Sequence, residues 1–143
     1  MILLPGGDEE FNARLALKLE HLGAAAIRID EPRGGPSTSG IVVCARIQAL
    51  DPPDPLTIVA PHLASIYLPS VARAMLTAHR RVSAYILIDP ASDPTDHMWP
   101  DAPVWLLRSG DPDPHMRLRG WEIVKASSAE ACGEELMRLS AEI

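Results

Sequence analysis

The chain has 143 residues, 47% hydrophobic and 22% charged. These are ordinary globular proportions, and they exclude a collagen-like repeat, a coiled coil or a disordered tail. The formal charge is −6, with no basic run beyond Arg80-Arg81, so nucleic acid and anionic membrane are not expected partners.

The length is that of one domain, 1-143, large enough to bury a real core. No apolar stretch approaches the ~20 residues of a membrane helix. Met1–Gly7 lacks the basic start of a secretory signal. Cys44 and Cys132 form no Cys-x-x-Cys pair, which points to reduced, buried thiols and a cytoplasmic location. No cofactor is expected.

Ile2–Leu4 reads as a short strand entering the turn Pro5-Gly6-Gly7, and Asp8 is a good N-cap. Phe11, Leu15, Leu19 and Leu22 recur at helical spacing, with Gly23 where a helix end favours glycine. Ala24–Ile29 reads as a second strand, followed by a turn-rich loop from Asp30 to Pro36. Ile41–Leu50 reads as a helix, with Ser37 and Ser39 as caps, and Leu56–Ala60 as a buried strand. Ser65–Ala78 is helical, although Pro69 suits only a first turn. Tyr85–Ile88, Val104–Leu107 and Trp121–Val124 complete the strands, and Ala129–Ile143 is an amphipathic helix. Apolar strands alternating with helices predict a three-layer α/β sandwich with a mostly parallel sheet. Ligands of such sheets bind beyond the carboxyl ends of the strands, here near Pro5, Asp30, Ala60, Asp89 and Gly110.

Several candidates stand on chemistry alone. His62 follows a strand end, and histidine exchanges protons at neutral pH. Asp111 and Asp113 lie in a Gly-Asp-Pro-Asp-Pro loop, where aspartate commonly bonds its own backbone; a hard metal on this pair is a minority reading, so no metal is assigned. His97, with Met98 and Trp99, sits in a polar loop that reads as a surface segment or flap. Pro5-Gly6-Gly7 precedes a helix but lacks the spacing of either phosphate-loop motif. Asp8, Glu9 and Glu10 would also repel an anion there.

The order of these segments resembles the α/β-hydrolase fold, reduced to its core and without a substantial lid. Leu4–Gly7 is similar to the strand and loop that supply an oxyanion-hole amide. Asp30–Ser37, with Arg33, Gly34 and Ser37, is similar to the family's D-x-R-G-x-G-x-S loop. Leu56–Ala64 looks like the strand and nucleophile elbow, and Pro103–Pro114 like the strand and loop that carry the triad acid. The family's elbow reads G-x-S-x-G. Here it reads Ala60-Pro61-His62-Leu63-Ala64, and no histidine follows the last strand.

The resemblance therefore implies a degenerate triad without the Ser–His relay. It implies a His62–Asp113 pair doing acid/base chemistry on a small carbonyl or ester substrate, with Gly6, Gly7 and Leu63 as amides for the substrate oxygen. Ser65 would be a displaced nucleophile at most. The alternative is a catalytically inactive relative acting as a binding or assembly subunit. A homodimer is a further expectation, because an open sheet edge invites pairing.

Overall fold

The structure is a computed structural model. It describes residues 1–31, 36–92 and 101–143, with only the backbone for 36–39. Along the chain come β1 (Ile2–Leu3), α1 (Glu9–His21), β2 (Ile27–Arg28), α2 (Pro36–Leu50), β3 (Leu56–Pro61) and α3 (Ala64–Thr77). Then follow β4 (Val82–Ile88), β5 (Val104–Arg108), the one-turn α4 (Pro114–Arg117), β6 (Glu122–Lys125) and α5 (Ala129–Glu142). The strands form one sheet in the order β2-β1-β3-β4-β5-β6. Every pairing is parallel.

Alternation along the strands builds two cores, one on each face. Ile58, Ala60, Tyr85, Leu87 and Leu106 face α2 and α3, meeting Val43, Ile47, Leu68, Val71 and Met75. Val59, Ile86, Ile88 and Leu107 face α1 and α5, meeting Leu15, Leu19, Cys132, Leu136 and Leu139. Both faces are covered, which is why the central strands can be apolar throughout. This is the three-layer α/β arrangement read from the sequence.

Some boundaries differ from that reading. Strand β2 is two residues long, not six. Helix α2 begins at Pro36, so Ser37 and Ser39 lie within it rather than before it. Pro69 is inside α3, past the first turn, and is itself buried. Helix α4 was not foreseen; Asp113 caps it, with Pro114 in its first turn.

Chain order reverses between β1 and β3. The helices that follow those two strands leave on opposite faces, which makes this the switch point of the sheet. In doubly wound sheets, ligands settle at this switch point. Pro5-Gly6-Gly7 and His62 are the residues that leave β1 and β3 at that point.

Candidate functional site

His62 stands at the apex between β3 and α3 with φ of 46°. An L-residue in this left-handed region is uncommon, and histidine is among the few side chains enriched there. Two neighbouring strand ends share the feature. Gly7, after β1, has φ of 122°, and Asp89, after β4, has φ of 40°. Among the described residues, the other non-glycine positions with positive φ, Asp51 and His79, stand just past the ends of α2 and α3, where a left-handed residue is the usual helix terminator. His62 and Asp89 are instead non-glycine residues held in this region at adjacent strand ends, a conformation kept only where the surrounding structure over-determines it.

Backbone hydrogen bonds hold the apex. The His62 amide donates to Ile88 O at 2.8 Å, and Ala91 N donates back to His62 O at 3.1 Å. Asp89 therefore sits between the two residues that clamp His62. The Ser65 hydroxyl also donates to His62 O, at 2.9 Å. It accepts from Ser92 N at 3.3 Å. Ser65 is fully buried, so its hydroxyl fastens the turn and does not face solvent.

The first loop packs directly on this turn. A Cβ on Gly6 would fall 2.4 Å from Ala64 N, and one on Gly7 would fall 2.7 Å from His62 Cβ. The small residues on both sides thus have one cause, the close approach of the two strand ends. Tyr67 of α3 ties them further, its hydroxyl donating to Pro5 O. Burial pushes the Tyr67 phenol well above its ordinary range, so it stays a neutral donor.

The His62 ring meets Phe11 of α1 edge to face, with centroids 5.1 Å apart. Its Nε2 is buried and has no hydrogen-bond partner among the described residues. Buried polar atoms are nearly always paired, so this Nε2 is an exception among the described residues. Nearby, the amides of Gly6, Gly7 and Leu63 make no backbone hydrogen bond among the described residues. Leu63 is also the N-cap of α3 and supplies no capping side chain.

The acids have partners other than His62 among the described residues. Asp113 is exposed and accepts from His115 N at 2.9 Å, capping α4. No hydrogen bond joins it to His62 among the described residues. Asp111 lines a separate hollow. Asp89, which the sequence reading placed at a strand end without giving it a role, accepts from Ser109 N at 2.9 Å. Arg108 Nε approaches the same oxygen at 3.9 Å. An Asp-Pro pair directly after a buried strand is the signal that could have marked it.

Arg33, Gly34, His97, Met98 and Trp99 lie outside the described residues. Among the described residues, no group of three or more His, Cys, Asp or Glu could hold a metal ion, and no helix is long and apolar enough to cross a membrane.

Comparison with protein-family models, curated proteins and solved structures finds no match. The site must therefore be read from its own geometry.

Proposed function

We propose that the chain is a reduced α/β-hydrolase-like protein in which His62 has taken the nucleophile's place and acts as an acid/base toward a small carbonyl or ester substrate. The observation that carries this reading is the left-handed apex. A turn of this kind is the elbow that presents a side chain at the top of a sheet, and here it presents an imidazole. The strand order and the switch-point position agree with such a core, and the amides of Gly6, Gly7 and Leu63, which make no backbone hydrogen bond among the described residues, suit a substrate oxygen that gains negative charge.

A histidine without a serine can take or return a proton but forms no acyl intermediate through a relay. The reaction class is therefore proton transfer or water activation at a carbonyl. Among the described residues no carboxylate bonds the ring, and two are the candidates to be tested as its partner. Asp113 holds the position that the hydrolase resemblance assigns. Asp89 holds the end of the adjacent strand, and its neighbours clamp the His62 backbone.

The test is turnover of a panel of small esters, thioesters and enolisable ketones by the wild type and by His62→Asn. Asparagine tolerates the left-handed backbone but cannot exchange protons near neutral pH. The expected result is a loss of about 10²- to 10⁴-fold, the usual worth of a positioned acid/base. Asp89→Asn and Asp113→Asn then rank the two carboxylates. Equal rates in wild type and His62→Asn, or no turnover across the panel, would overturn the reading and favour a binding or assembly role.

A further inference from the structure

On the face covered by α2 and α3, the one-turn α4 packs Met116 against the β5–β6 end of the sheet. The sheet is left with a hollow of about 440 Å³ at its carboxyl edge. Three cations line it: Arg108 at the end of β5, Lys125 at the end of β6 and Arg117 on α4. Arg108 and Lys125 are directly paired in register. Their convergence is notable in a chain of net charge −6.

One of the three cations is poorly satisfied. Arg108 is half-buried, and its Nε is buried without a hydrogen bond. Its Nη1 reaches only Met116 Sδ, at 3.3 Å, and thioether sulfur is a weak acceptor. The long contact to Asp89 is its ion pair. Arg117 and Lys125 make no ion pair among the described residues. Trp121 supplies an aromatic wall, with the Arg119 guanidinium 5.6 Å from its ring centroid. The one carboxylate of the lining is Asp111.

We propose that this hollow binds the anionic group of a small molecule, a phosphate ester or a carboxylate. Guanidinium groups present forked donors that match such oxygens. A half-buried arginine without a good acceptor gains most from one. The hollow lies on the same strand-end edge as His62. Two strand spacings separate β3 from β5, about 10 Å. A carbonyl compound with an anionic far end would span both, an extension that rests on the function proposed above.

The experiment is a titration with inorganic phosphate and with a phenyl phosphate ester, followed by Trp fluorescence and calorimetry. The expected result is saturable binding that weakens with added salt, with the ester tighter than inorganic phosphate because its ring meets Trp121. The exposed changes Arg117→Gln and Lys125→Gln should each weaken binding about tenfold. Asp111→Asn, which removes the opposing charge, should tighten it several-fold. Absence of saturable binding, or binding unchanged in the Arg117→Gln, Lys125→Gln double variant, would overturn the proposal. His62→Asn should bind phosphate as the wild type does, so loss of turnover there and loss of anion binding here are separate results.

Discussion

At the scale of single residues, the most demanding positions are the two glycines after β1. Gly6 is constrained by space and Gly7 by both space and backbone. The atom that a Gly6 Cβ would strike, 2.4 Å away, is Ala64 N. A backbone atom cannot rotate aside as a side chain can, so the strand ends must separate. Gly6→Ala should therefore cost about 1–3 kcal/mol, the usual range for overpacking. Gly110→Ala is the matched control, because nothing lies within 4 Å of its added methyl; it should stay within about 0.5 kcal/mol. Urea unfolding of both variants checks the contrast. Similar losses would mean that the loop does not press on the elbow as described.

At the scale of elements, one hydroxyl at the start of α3 bonds the segments that follow β3 and β4. Ser65 both donates to His62 O and accepts from Ser92 N. Ser65→Ala leaves the turn carbonyl with fewer donors and should lower stability by about 1–2 kcal/mol. Chemistry at His62 should persist in this variant, and serine-directed fluorophosphonates should label neither protein. Labelling that vanishes in Ser65→Ala would instead make Ser65 a nucleophile. The sequence reading named Ser65 but could not assign this role, because the bond to Ser92 spans 27 positions. The parallel sheet and its helices were legible because burial on both faces leaves unbroken apolar runs such as Leu56–Ala60. The apex was legible as well, since strand, small residue and helix follow one another in sequence. What escaped were features fixed by neighbours across the sheet. Asp89 enters the site through register with β3, and α2 extends past its apparent start. Helix α4 is too short to show a period. The cations of the hollow come from three separate elements, so no spacing in the chain announces them.

At the scale of the whole molecule, the central strands are covered on both faces by two helix pairs, and the sheet ends in short edges. Strand β2 has two residues and β6 has four, which limits the open backbone available for pairing. Sealing both faces also fixes how the fold responds to alkali. Burial, and then the charge of Asp89, push the Cys132 thiol up from 9.0 to about 11. Burial also raises the Cys44 thiol. The Tyr67 and Tyr85 phenols lie above their ordinary value of 10.0 through burial, helped by Glu31 for Tyr67 and by the bond to Asp101 for Tyr85. Each of these groups holds its proton more tightly folded than unfolded. Below pH 9.0 both states keep the thiol protons, and the contribution is complete. As pH rises further, the unfolded chain releases them first, so stability falls from there through about pH 11, with the tyrosines adding to the loss above pH 10.0. The thermal midpoint should thus decline across that alkaline window. Cys132→Ala should be less stable at neutral pH, because it leaves a small cavity, yet it should decline less steeply between pH 9 and 11. A slope equal to that of the wild type would show that the thiol is not held protonated by the packing of α5 against the sheet.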